Sequence, residues 1–160
     1  MLNQEVVKLR RKEKEIINQS EIESIIRKSM VCRLGLTDNG TPYVVPLCFG
    51  YGNGALFFHS AKEGRKIEIL KKNNQVCFEF DIAPEVQPGG RTACAWGLKY
   101  RSVIGFGKAL FIEDPEERRK ALDIIMRQYA DGDFEYSEKS FGKALVIKVE
   151  ISSMTGKKAD

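Results

Sequence analysis

The sequence predicts an α+β fold, mainly β with helices, in which a small antiparallel barrel has its gaps filled by helical segments. Three observations lead there. Short β-type runs succeed one another through Asn-Gly turns, which link neighbouring strands as hairpins and so make the sheet antiparallel. No strand-helix-strand unit repeats, which argues against a doubly wound parallel sheet. The 160 residues, 42% of them hydrophobic, suit one domain with one core. At that length a folded chain buries roughly 70% of the surface its unfolded form exposes, so no disulfide or metal staple is required.

Residues 1–18 carry dense charge from Arg10 to Glu15 and few core candidates, and are expected to form an arm. Ser20 followed by Glu23 is a capping-box pattern, and Ile22, Ile25 and Ile26 fall at helical spacing, so a short helix is predicted from about Glu21 to Ser29. Three strands follow: Met30 to Leu36, Tyr43 to Phe49, and Ala55 to His59, separated by Asp38-Asn39-Gly40 and Gly52-Asn53-Gly54. Pro46 removes a backbone donor from the second, which points to a sheet edge, a bulge, or a partner other than a strand.

Ser60-Ala61-Lys62-Glu63 reads as a second capping box, opening a helix with Ile67 and Leu70 inward. In the run from Gln75 to Asp81, Val76, Phe78 and Phe80 alternate with polar residues, the period of a half-buried strand. The stretch from Ile82 to Gly97 lacks periodicity and is predicted to be a long loop holding Trp96, the only tryptophan. Tyr100 to Ile112 reads as a long strand broken or bulged at Gly105 and Gly107. Asp114-Pro115-Glu116-Glu117 opens a helix that buries Leu122, Ile125, Met126 and Tyr129 and closes near Gly132. Lys143 to Ile151 is the last strand. The predicted organisation is one domain over 19–152, with 153–160 a polar tail.

Lys and Arg number 26 against 22 Asp and Glu, a formal +4, with the two signs interleaved. Such mixing disfavours nucleic acid and suits a small anionic ligand. No run reaches the ~20 apolar residues of a membrane span, and Met1 to Glu15 is charged where a secretory signal would be apolar, so a cytoplasmic location is expected. The four cysteines form no C-x-x-C pair, and three lie in apolar runs, which predicts buried free thiols. With His59 the only histidine, no metal site is expected.

The block from Leu56 to Lys66 is the most informative. A strand running into a helix N-terminus presents unpaired backbone N–H groups under a favourable dipole, a natural place for an anion. Arg65 offers a planar fork and Lys66 a point charge, together suited to a terminal phosphate. The alternative is plainer: Ser60 and Glu63 cap the helix, and Arg65 and Lys66 form a solvated face. His59 alternates with Phe57 on one strand face and is open to a functional or a structural role.

Val44-Val45-Pro46, Phe57-Phe58-His59-Ser60-Ala61, Gly64-Arg65-Lys66-Ile67, Asn73-Asn74 and Val76-Cys77-Phe78-Glu79 together resemble the pyridoxamine 5′-phosphate oxidase-like flavin-binding split-barrel superfamily. Cys32 to Leu36, Pro42 to Leu47 and Tyr100-Arg101-Ser102-Val103 resemble its nitroimidazole-resistance, nitroreductase-like branch. The resemblance spans about Arg10 to Ile151. It implies a split barrel of FMN-binding type, with Val44, Val45 and Pro46 along the flavin ring and pyrimidine edge. It further implies His59, Ser60 and Ala61 along the ring and ribityl chain, and Arg65 and Lys66 at the FMN phosphate. It implies a homodimer with flavin at the interface, where Trp96, Tyr100, Arg101 and Ser102 would complete the site; Trp96 is equally readable as a loop anchor. True pyridoxamine 5′-phosphate oxidases carry a C-terminal Arg and His set, and no histidine follows His59 here, so vitamin B6 oxidation is disfavoured.

The function expected is therefore an FMN-dependent oxidoreductase acting on nitroaromatic or other small planar substrates, with His59 the catalytic candidate to orient substrate or relay a proton. The alternative is a non-enzymatic flavin- or haem-binding protein on the same barrel. A nucleic-acid-binding small barrel, with Arg10, Arg11 and Lys12 as its basic arm, is the weakest of the three.

Overall fold

Asn18, not Ser20, opens the first helix. In the computed structural model, which describes residues 9–160, the Asn18 side chain accepts from the amides of Ser20 and Glu21 at 2.8 and 3.3 Å. Residues 1–8 of the expected arm lie outside the described residues. Helix α1 (Gln19–Lys28) buries Ile22, Ile25 and Ile26, as their spacing predicts. Just before it, β1 (Glu15–Ile16) pairs with the end of the chain and sends Ile16 into the core, so the predicted arm is in part structural.

The meander then forms as β2 (Cys32–Asp38), β3 (Thr41–Leu47), β4 (Gly50–Gly52) and β5 (Ala55–Ser60). Asn39 and Asn53 sit at φ 49° and 52°, the left-handed conformation these hairpin turns require and asparagine tolerates. After α2 (Arg65–Lys72) come β6 (Gln75–Gln87), β7 (Gly97–Ile112), α3 (Pro115–Arg127), α4 (Glu138–Lys143) and β8 (Leu145–Ala159). Asp114 caps α3 through the Glu117 amide at 2.9 Å, with Pro115 at the first position.

The strands form one antiparallel sheet in the order β3-β2-β6-β7-β8-β5-β4, with β1 on β8. The fold is the expected α+β split barrel, but the sheet does not close: β3 and β4 are its two ends. Pro46 thus lies on an edge strand, one of the settings expected for it.

Two hydrophobic clusters flank the sheet. The larger joins Leu34, Phe78, Phe80 and Val103 to the apolar faces of α1 and α2. The smaller joins Ala55, Phe57, Ile112 and Val146 to α3. Successive residues of β5 point to opposite faces, so Leu56 and Phe58 enter the first cluster while Ala55 and Phe57 enter the second. Away from α3 the outer face is bare, with Val44, Ile104, Phe106 and Leu110 exposed. It also carries Arg33 paired with Glu79 and Asp81; burial, and then the Asp81 charge, push the Glu79 carboxyl above the usual range.

Four further expectations about the strands and cysteines need correction. The segment predicted as a loop from Ile82 to Gly97 is mostly a β-hairpin arm, with Glu85, Val86 and Gln87 paired to Lys99, Leu98 and Gly97. A register shift between Ile82 and Glu85, around Pro84 and an Ala83 at φ 52°, breaks the alternation that would have marked it as strand. The predicted polar tail 153–160 is strand through Ala159, paired along Tyr100 to Phe106. Its polar residues sit on a sheet surface, so no apolar period betrays it. The irregularity at Phe106/Gly107 falls where Ser152 is the extra residue, a bulge on β8. Finally, only Cys32 is buried; Cys77 is half-buried on the outer face, and Cys48 and Cys94 are exposed.

Candidate functional site

β5 ends at Ser60, and residues 61–64 carry the chain into α2. The predicted capping box does not form, because the helix starts only at Arg65 and leaves Glu63 ahead of the cap. Gly64 is the cap residue at φ 113°, a conformation that favours glycine, and no side chain caps the helix. The amides of Ile67 and Glu68 bond to the Gly64 carbonyl at 2.9 and 3.1 Å. Those of Arg65 and Lys66 make no hydrogen bond among the described residues. By contrast α1, α3 and α4 are closed by Asn18, Asp114 and Ser137. α2 therefore keeps its first-turn donors open, with the positive end of its dipole.

Two cations stand at that opening without an ion-pair partner among the described residues. The Arg65 guanidinium lies over the Tyr43 ring, 4.8 Å from its centroid. Lys66 is half-buried, and burial pushes its ammonium pKa below the usual lysine value. Both cations and the free amides can bind an anion, and an anion there would offset the desolvation of Lys66.

The Tyr43 contact ties this corner to β3, which pairs only with β2 and leaves its other edge without a strand. On β3, Val44 is 62% exposed and Pro46 is exposed, while Val45 turns toward the core. On β5, His59 is exposed opposite Val146 and Ser60 is half-buried opposite Leu145, with exposed Ala61 next in the chain. The structure thus brings β3 and the β5–α2 junction together across the gap in the barrel, although the strand order separates β3 from β5 by four strands.

The remaining predicted site residues lie elsewhere. Trp96 is 51% exposed near the base of the β6–β7 arm's tip, where its indole N–H donates to the Gly90 carbonyl at 2.9 Å. Tyr100 sits under the Lys157 ammonium, and Arg101 pairs with Asp160 at 2.9 Å and Glu21 at 3.8 Å. Ser102 stands opposite Asp81 and Lys157 in the register. No hydrogen bond, ion pair or ring contact joins these four to β3 or the α2 corner among the described residues.

Sequence reasoning did not single out Tyr43. Its alternation with Val45 on the half-buried side of an edge strand was visible, but a contact to Arg65 in a different element was not. Replacing Tyr43 with Leu removes the cation–π contact and frees the Arg65 side chain, and should weaken phosphate-dependent ligand binding by about threefold to fivefold, with Tyr43→Phe near wild type. Titration of both variants checks this, and equal loss in the Phe variant would remove the ring from the explanation.

The model of the family described as pyridoxamine 5′-phosphate oxidase matches residues 18–158. The chain belongs to this family. Among solved structures it is similar to a candidate 5-nitroimidazole antibiotic resistance protein from Bacteroides thetaiotaomicron, at 43% identity and TM-score 0.81, over 90% of this chain and 86% of that one. It also resembles a flavocytochrome from Azotobacter vinelandii, at 19% identity and TM-score 0.83, over 96% and 72% of the two chains. An FAD- and haem-binding protein from Mycobacterium smegmatis matches at 17% and 0.82, over 92% and 74%. The last two likenesses speak to the fold alone. No curated protein matches the chain.

Proposed function

We propose that the chain binds FMN and is an oxidoreductase acting on nitroaromatic, 5-nitroimidazole-like, or other small planar substrates. The observation that carries this reading is the open first turn of α2, where two free amides lie beside Arg65 and Lys66, neither of them in an ion pair among the described residues. That donor set suits a phosphate monoester dianion. The exposed side chains of Val44 and Pro46 offer an apolar edge for a planar ring, and the unpaired edge of β3 offers main-chain donors and acceptors for a pyrimidine rim. The bound flavin would supply electron or hydride transfer. The protein's part is to hold the phosphate with Arg65 and Lys66, to fix the ring along β3, and to place the exposed imidazole of His59 beside it as an orienting or proton-relaying group. The 43% identity with the Bacteroides thetaiotaomicron protein favours the nitroimidazole class of substrate. The fold shared with a flavocytochrome and an FAD- and haem-binding protein is one that accommodates a flavin.

Purified protein should be yellow, release FMN on denaturation, and oxidise a reduced nicotinamide when a 5-nitroimidazole is added. Flavin binding without turnover would instead favour a carrier. Protein that neither carries nor takes up flavin would end the proposal. Because a bound phosphate favours charged Lys66, binding should take up a proton once the pH exceeds the depressed Lys66 value. FMN affinity should then fall as pH rises through that value, and Lys66→Gln should abolish the dependence.

A homodimer with FMN at the interface is part of the same proposal. Val44, Ile104, Phe106 and Leu110 on the outer face, with Val86, Trp96 and Leu98 on the arm, are exposed apolar groups that a second copy would cover. Trp96, Tyr100, Arg101 and Ser102, remote from the α2 corner of their own chain, would then serve the partner's site. Sedimentation of Phe106→Asp against wild type decides between dimer and monomer. Unpaired cysteines suit a reducing compartment such as the cytoplasm, and among the described residues no helix is long and apolar enough to cross a membrane.

A further inference from the structure

A second opening lies away from the α2 corner, between the C-terminal turns of α1 and α3 and the strand β4. It encloses about 570 Å³, within the range of small-ligand sites. Its charged walls are Arg27 from α1 and Lys120, Asp123 and Arg127 from α3, with Tyr51 beneath Arg27 at 5.1 Å. The backbones that carry these walls are in close contact: a Cβ at Gly50 would stand 2.6 Å from the Ile125 amide nitrogen, so β4 and α3 meet backbone to backbone.

The ordinary explanations for such cations leave Lys120 and Arg127 unaccounted for. Basic residues in a last helical turn commonly serve its free carbonyls. Here Gln128 donates its side-chain amide to the Arg27 and Ser29 carbonyls at 2.9 and 3.0 Å. At the end of α3, the Ile125 and Met126 carbonyls accept from the amides of Gln128, Tyr129 and Ala130. Nor are the two α3 cations neutralised on their own helix. Asp123 stands three residues after Lys120 and four before Arg127, the spacings at which helical ion pairs form, yet it pairs with neither among the described residues. Its Oδ1 accepts instead from the Tyr136 hydroxyl at 2.8 Å. Burial and the Asp123 carboxylate push the Tyr136 phenol up to about 12, so it remains a donor at neutral pH. Tyr136 thereby draws the cleft's carboxylate aside. Arg27 keeps a long contact of 3.7 Å to Glu23, while Lys120 and Arg127 have no acidic partner among the described residues.

We propose that this cleft binds a small phosphorylated anion, gripped by Arg27, Lys120 and Arg127. Two guanidinium forks and an ammonium from two helices match several phosphoryl oxygens better than a single carboxylate. The remaining volume accommodates an organic portion. The site shares no residue with the α2 corner and does not depend on what that corner binds.

The test is calorimetric titration of inorganic pyrophosphate, and of ADP against adenosine, into the full-length protein at low ionic strength. It is run on FMN-saturated protein and again on Arg65→Gln, so that the α2 corner is filled in one case and disabled in the other. Pyrophosphate and ADP should bind in both, and adenosine should not. Lys120→Gln and Arg127→Gln should each weaken pyrophosphate binding about tenfold, with melting curves kept near wild type. Asp123→Asn should tighten it. Tyr136→Phe should weaken it, because a released Asp123 can turn to Arg127. No heat from pyrophosphate, binding abolished by Arg65→Gln alone, or affinity unchanged in both Lys120→Gln and Arg127→Gln would each overturn the assignment. Failure of FMN to bind would leave the Arg65→Gln arm intact, so the two readings fail separately.

Discussion

Alanine at position 105 should destabilise the fold by about 1–3 kcal/mol, and Phe78→Ala by about 3–5 kcal/mol, with the double variant costing clearly less than their sum. Gly105 stands opposite Phe78 in the β6–β7 register. A Cβ there would overlap the Phe78 ring and stand 2.8 Å from the Ser153 carbonyl oxygen of the next strand. Phe78 is fully buried, with Phe80 at 6.0 Å between ring centroids, so its ring has no free volume into which to retreat. The glycine and the phenylalanine are two halves of one packing solution. Removing the ring makes room for the methyl, whereas the Ser153 carbonyl still resists it, so rescue should be partial. Urea unfolding of the two single variants and the double variant measures the coupling. Strictly additive values would mean that the sheet, and not the ring, absorbs the added methyl.

The same pair shows why some of the fold was legible and some was not. Phe78 announced itself by alternating with Cys77 and Glu79, and Asn39 and Asn53 announced their hairpins by turn chemistry, because both signals act between residues close in sequence. Asp114-Pro115 fixed the start of α3 for the same reason. β5 was legible from the Gly52-Asn53-Gly54 turn before it and not from apolar alternation, since Leu56 and Phe58 serve one cluster and Ala55 and Phe57 the other. The strand at 153–159 had no apolar period, and the arm's pairing was hidden by the shift at Pro84. At the candidate site, Arg65 and Lys66 were legible as cations near a strand-to-helix junction, but Gly64, and not a Ser60–Glu63 capping box, starts the helix. A Ser60–Glu63 box would have filled the first-turn donors. The Gly64 turn leaves them free, and its positive φ is a property of the backbone path that the residues around it do not encode by spacing. The stacking of Arg65 on Tyr43 needed the tertiary structure altogether.

Replacing Arg65 with Gln should weaken FMN binding about tenfold to a hundredfold while leaving riboflavin affinity within about twofold, since only FMN carries the phosphate. The argument starts from what Arg65 lacks. It has no carboxylate partner among the described residues and rests on the Tyr43 ring, which holds the guanidinium in place but satisfies none of its donors. A phosphate at the α2 opening would take those donors together with the free amides of Arg65 and Lys66, and the amides survive the substitution. Residual FMN affinity is therefore expected. Arg65 is exposed, so its share of the attraction should shrink with salt, and the wild-type and variant affinities should converge as ionic strength rises. The half-buried ammonium of Lys66 is less accessible to screening, so the affinity that the variant retains should vary less with salt. Fluorescence titrations of FMN and riboflavin at two salt concentrations separate these contributions. Equal losses for the two flavins would assign Arg65 to the local fold and not to the phosphate. An unchanged FMN affinity would move the phosphate away from this corner altogether, and with it the reason for placing the ring along Val44 and Pro46.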